Sequence, residues 1–387
     1  MDREPGLAGA TLPPPVAASS VAFSPAMATP APEAERGAAI RDYRRSVTWR
    51  AALLGALLLA GLAAMLADLI VGSGTLSLAE VMDGLLSPAT ADPTVRVVLW
   101  ELRMPITFTA ALAGIALALA GTLMQTVLNN PLAEPFTLGI SSAAGFGAAM
   151  AIVFGSSILG SAAEWLPPEL FISANAFLFA LATVILVTLL ARRTGMGVET
   201  VTLLGIAVHF AFSALLAVAQ YMADVNQLQS LIFWLLGSLL KATWTKVAIN
   251  AAILALVLPV LLARAWALTA LRGFGDGAVV LGIRVERLRF TMLVAAALLA
   301  ASATATIGVV GFVGLVAPHM ARLLVGEDQR FSLIVTAACG MLVLVLASLA
   351  SKLILPGAVL PIGMITSLLG LPVFLAQILH GQRRVAR

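Results

Sequence analysis

Residues 104–128 read MPITFTAALAGIALALAGTLMQTVL, 25 consecutive positions without an Asp, Glu, Lys or Arg. A helix rises about 1.5 Å per residue, so about 20 mainly apolar residues cross a hydrocarbon core of roughly 30 Å. This run is long enough, and lipid is therefore its solvent. Similar runs recur up to residue 380, and the pattern predicts ten spans. The first five are 49–71, 104–128, 137–159, 171–191 and 200–221. The remaining five are 246–264, 289–308, 311–326, 331–355 and 361–380, of which the eighth is short for a span. Whole-chain composition agrees: 60% of the 387 residues are hydrophobic and 11% charged, where a soluble domain carries roughly a quarter charged residues. The expected fold class is an all-α, polytopic membrane protein of about ten transmembrane helices.

An even number of spans puts both termini on one side of the membrane, so the connecting segments can be scored for Lys and Arg. With a cytoplasmic N-terminus, eighteen of the 23 basic residues fall inside. The outside segments hold only Arg96, Arg103, Lys241, Lys246 and Lys352. This positive-inside bias predicts cytoplasmic termini and a place in the cell's inner membrane. It also reads the net charge of +4 as a topology signal, with no nucleic-acid partner implied.

Outside the spans, residues 1–46 form a Pro/Ala-rich stretch without helical or strand period, which predicts a disordered tail ahead of a membrane domain at 47–384. The tail lacks the charged, apolar and small-residue succession of a secretory signal. The segment 222–245 holds an apolar stretch too short to span, and fits an external re-entrant or interfacial helix. On the other side, the loop at 265–289 (ALTALRGFGDGAVVLGIRVERLR over 267–289) carries a small-residue turn, Gly273–Gly277, between two short amphipathic pieces, a form suited to docking on a soluble partner.

Several chemistries are absent. None of the three lysines follows a glycine, so no GxxxxGK phosphate loop exists, and energy from ATP would have to come through a partner. His209, His319 and His380 lack carboxylate or thiol neighbours at metal-ligand spacing, and the single cysteine, Cys339, lies in an apolar run. No catalytic, cofactor or metal site is expected. Ionisable residues within spans are few, chiefly Asp68 and His209, which weighs against an ion-coupled secondary transporter, the second reading, although it remains an alternative. For His209 an interhelical hydrogen bond stands beside a gating role. A third reading is an intramembrane enzyme or a purely structural subunit.

Three stretches, RMPITFTAALAGIALALAGTLMQTVLNNPLAEPFTLGISSAAG (103–145), the loop with Leu281-Gly282, and GFVGLVAPHMARLLVGEDQR (311–330) followed by LPIGMITSLLGLPVF (360–374), resemble the permease family of iron-chelate, siderophore, haem and cobalamin ABC importers, the FecCD type. The resemblance runs from about residue 49 to 384. It implies a type II ABC importer permease architecture, working with a second permease (identical or paralogous), ABC ATPase subunits and a periplasmic or lipid-anchored substrate-binding protein. It further implies that Gly275, Asp276, Gly282 and Arg284 contact the ATPase, that Arg103 and Lys352 meet acidic residues of the binding protein, and that Gln125, Asn129, His209 and His319 belong to the pathway or its gates. The expected pore-lining elements are the fifth span, the external short helix and the eighth span. The chain departs from the family pattern at Ile106, where a basic residue is common, and at Ser348 and Val359, where acids are common.

Overall fold

The structure is a computed structural model that describes residues 33–72, 76–160, 166–355 and 357–385. Residues Met1–Trp49 and Arg50–Arg387 group as two compact units. In the first, helix is present from Glu33, and the part of the expected tail before it lies outside the described residues.

Helices account for every regular element among the described residues. They are α1 (Glu33–Ile70), α2 (Leu78–Leu86), α3 (Pro93–Arg96), a π-helical turn (Val97–Arg103), α4 (Met104–Val127), α5 (Ile140–Ile152), α6 (Pro168–Arg192), α7 (Val198–Met222), α8 (Val225–Leu235), α9 (Trp244–Phe274), α10 (Val285–Ile307), α11 (Val313–Val325), α12 (Gln329–Leu353) and α13 (Ile362–Val385). Among the described residues, seven helical stretches are long and apolar enough to cross a bilayer. Shorter apolar helices stand at Ile140–Ile152, Val313–Val325 and Ile362–Leu375, the places of the third, eighth and tenth expected spans. The third is shorter than its hydropathy run at both ends: the chain enters it through a 3-10 turn, Pro135–Leu138, and Gly139 at φ 76°, and the helix stops at Ile152.

The most buried spans are α4 and α10, and α4 packs against α9, α10, α11 and α12. Its sequence explains the position. Lipid tails give helices no hydrophobic reason to associate, so close backbone approach through small residues takes over. Gly114 lies against the Gly340 carbonyl of α12 and Gly121 against the Gly314 carbonyl of α11. At both crossings a Cβ would fall on the partner's backbone. By contrast, α7 presents Leu203, Phe210, Val218 and Tyr221 outward, a face for lipid or a second subunit.

Short polar-capped helices flank the bundle. In α8, the external short helix foreseen in 222–245, Asp224 and Gln227 form a capping box, which satisfies two amide donors at its start. A similar box, Ser77 with Glu80, begins α2, which hydropathy did not announce because its nine residues are too few to span.

Candidate functional site

Functional groups gather at the two ends of α4, where Arg103 precedes its first residue and Gln125 lies in its last turn. At the first end, Asp68 of α1 is fully buried and its Oδ1 lies 2.7 Å from Lys352 Nζ. The same carboxylate accepts hydrogen bonds from Ser348 Oγ (2.9 Å) and Thr107 Oγ1 (2.6 Å). Arg103 Nη1 donates to the carbonyls of Leu69 (2.7 Å) and Ile70 (2.8 Å), thereby capping the C-terminus of α1, where helix carbonyls lack intrahelical donors. Both basic residues expected at an exposed docking rim are thus buried: Arg103 is 5% exposed and the Lys352 side chain 8%. The π turn carries Arg103 under the end of α1, and Asp68 draws Lys352 inward.

At the opposite end, α9 runs without interruption to Phe274, so the first of the two expected amphipathic pieces belongs to a spanning helix. From Ala265 to Arg272 no glycine or proline interrupts the helix, and the break falls where Gly275 takes φ 53°. A 3-10 turn, Gly275–Leu281, follows, then Gly282 at φ 77° and Arg284 at the N-cap of α10. The turn shows Phe274, Val279, Val280 and Leu281 to solvent, Val280 at 90% exposure. Asp276 Oδ1 holds buried Arg289 Nη1 at 2.8 Å, fixing the turn to α10.

Just above that turn lies a network that sequence reasoning missed. Arg272 Nε is 3.1 Å from Glu327 Oε2, and Arg322 Nε is 3.7 Å from Glu327 Oε1. Arg322 Nη1 also donates to Gln125 Oε1, Arg272 Nη1 donates to the Gln125 carbonyl, and Gln125 Nε2 donates to the Gly314 carbonyl. The residues come from three stretches of chain far apart in sequence, around Gln125, Arg272 and Gly314–Glu327, so spacing gave no signal for the cluster. Gln125 alone was singled out beforehand, and it ties α4 to α11 at the Gly121–Gly314 crossing. Asn129 is exposed on the turn after α4 with φ 43°. His319 stands three residues before Arg322 on α11, and the backbone of His209 on α7 packs against Gly139. Among the described residues, neither histidine hydrogen-bonds into the Gln125 network.

A titratable group missed by the sequence reading is Glu134, half-buried in the segment between α4 and α5. Burial pushes its carboxyl up to about 7, and the backbone N–H of Phe312, donating to it, offsets this only in part. A carboxyl raised in the folded state stabilises the fold fully below its ordinary value of 4.5, and that contribution is lost as pH rises through about 7. Glu134→Gln should therefore raise the thermal midpoint relative to the wild type as pH goes from about 5 to about 8. Parallel melting curves across that range would remove this role.

A cavity of about 630 Å³ opens at the Lys352 end, walled by α8, the segment leading into α9, and the ends of α10 and α12. Ile106, Ser348 and Val359, the three departures from the family pattern, all line it.

The family model described as the FecCD transport family matches residues 45–380. The chain is 35% identical to the vitamin B12 import system permease protein BtuC of Vibrio cholerae over 276 residues, 71% of this chain and 81% of that protein. It is 32% identical to the molybdate import system permease protein MolB of Haemophilus influenzae over 309 residues, 79% of this chain and 88% of that one. A solved ABC transporter described as of metal-chelate type, in an inward-facing conformation, matches with a TM-score of 0.74 at 28% identity, covering 85% of this chain and 99% of the other.

Proposed function

The chain belongs to the FecCD transport family and is a multi-pass permease of an ABC importer, and from this premise we propose that it translocates a metal chelate of the iron-siderophore, haem or cobalamin class across the inner membrane. Its relatives are named for cobalamin and for molybdate, and the solved transporter is described as of metal-chelate type. Two permeases would enclose the passage, a substrate-binding protein would deliver cargo outside, and both termini would face the cytoplasm, as the Lys and Arg bias favours. ATP hydrolysis would belong to a separate subunit.

The observation that carries the coupling assignment is the exposed apolar turn at Gly275–Leu281. Solvent-exposed Val and Leu side chains on a short, ion-paired turn form a surface for a protein partner. In this reading the ATPase holds that turn, with Gly275, Asp276, Gly282 and Arg284 at or beside the contact. A shift of the turn is passed through Arg272 to Glu327 and Arg322, and from there to Gln125 and the α4–α11 crossing. Movement of packed helices against one another then exposes the passage to one side at a time. Arg103 and Lys352 would shape the external face from within.

Asp276→Lys places a second cation against Arg289, and Gly275→Arg puts a bulky cation on the turn at an unfavourable φ. Both variants are expected to insert normally and assemble with the ATPase, yet lose most ATP-dependent uptake in proteoliposomes. Uptake at the wild-type rate in both would remove the coupling role.

A further inference from the structure

All three lysines of this chain, Lys241, Lys246 and Lys352, line the one cavity at the Lys352 end. The other twenty of the 23 basic residues are arginines, so lysine is confined to this place. Lys241 is exposed at the cavity, just before α9. Lys246 is buried and donates from Nζ to the Lys241 backbone carbonyl at 2.8 Å, which holds its ammonium against the segment that carries Lys241. Lys352 is neutralised from behind by Asp68. Ser230, Ser238 and Thr306 add hydroxyls to the wall and Gln229 an amide. No Asp or Glu is among the described residues that line the cavity.

Cations and hydroxyl donors around a concave, largely apolar space suit a ligand with an apolar body and negative oxygen groups. Lysine suits a passage better than arginine would. A compact, strongly hydrated ammonium attracts an anion as a point charge, whereas the guanidinium fork grips carboxylates bidentately. Low walls of positive potential also concentrate an anionic ligand before it moves on. We propose that this cavity is an anion-receiving vestibule, and that the cargo presents carboxylate or comparable oxyanion groups as it enters. The assignment rests on the importer reading above and narrows it to anionic cargo.

The test uses the full chain in phosphatidylcholine nanodiscs, with saturation-transfer NMR to detect weak binding. Gallium(III) citrate serves as the anionic probe and a neutral gallium(III) trihydroxamate as its counterpart. Citrate should bind, and binding should weaken about tenfold in Lys241→Glu, persist in Lys241→Arg and decline with added salt. The neutral probe should show no difference between wild type and Lys241→Glu. Lys241 is exposed, so its variants are not expected to disturb folding. Equal citrate binding in wild type and Lys241→Glu, or a neutral probe that binds the wild type as well as citrate does, overturns the proposal. Loss of the citrate signal when phosphatidylglycerol is added to the nanodisc would make the cavity a lipid-headgroup site and likewise overturn it. Co-purification of an ATPase subunit tests the importer reading separately: its failure alongside Lys241-dependent citrate binding would sink that reading and leave the anion site standing.

Discussion

Gly121→Leu and Gly114→Leu are each expected to abolish recovery of a folded, monodisperse chain, with Gly121→Ala retaining only a small fraction of it. At both positions the obstacle is backbone. A Cβ on Gly121 would overlap the Gly314 carbonyl of α11, and one on Gly114 the Gly340 carbonyl of α12. A flexible side chain could swing away, but a helix backbone relieves such a clash only by moving as a whole. Separating α4 from α11 would also break the Gln125–Gly314 and Gln125–Arg322 hydrogen bonds. Overpacking a well-filled core typically costs 1–3 kcal/mol, and loss of these interhelical bonds adds about 0.6 kcal/mol apiece. Size-exclusion profiles of purified variants read the outcome. Leucine at either position with wild-type yield and melting temperature would show that the crossings are looser than described.

The second large effect concerns the buried pair at the other end of α4. Lys352→Met leaves the Asp68 carboxylate in a site with no exposure, with Ser348 and Thr107 as its hydrogen-bond donors and the Arg103 guanidinium as the remaining nearby cation. Removing one partner of a buried ion pair costs about 3–5 kcal/mol, while replacing both by neutral groups of similar size can be nearly neutral. Lys352→Met and Asp68→Asn should each lower the thermal midpoint sharply, and the double variant should recover most of the loss. The quantity that decides is the coupling energy of the double-mutant cycle. Additive losses would mean that the two groups act independently.

Hydropathy made the span positions of this chain legible, because twenty apolar residues in lipid have few alternatives to a helix. It was less informative where helices are short. The helix α11 was placed to within two residues, whereas α5 was placed in sequence but not in length, since it begins after Gly139 and stops at Ile152, seven residues before its apolar run does. The turn at Gly275–Leu281 was legible through its glycines, and the sequence located it to within a few residues. Its apolar face was only partly foreseen, since exposure of Val279 and Val280 depends on how the turn leaves α9.

Charged residues were the least legible. Arg103 and Lys352 follow the pattern of external basic positions, yet a residue 284 positions earlier in the chain determines that Lys352 points inward. Asp68 occupies the surroundings in which Ser348 replaces a common family acid, and the two now share a hydrogen bond. Neither relation leaves a trace at short range. The same holds for Gln125, Arg272 and the Arg322–Glu327 stretch, which converge only once three segments are packed.

The brevity of α11 bears on how this protein is made. Thirteen residues extend about 20 Å, well short of the hydrocarbon thickness, and the segment includes Pro318, His319 and Arg322. Such a segment partitions poorly on its own from the insertion machinery into lipid, because it is too short to span the hydrocarbon core and Pro318 interrupts its backbone hydrogen bonding. Its settling must be shared with α4, already in place when α11 leaves the ribosome, and with α12, which follows it. The information that keeps α11 in the membrane is therefore written largely in its neighbours, and its biogenesis is a collective act of the nascent bundle.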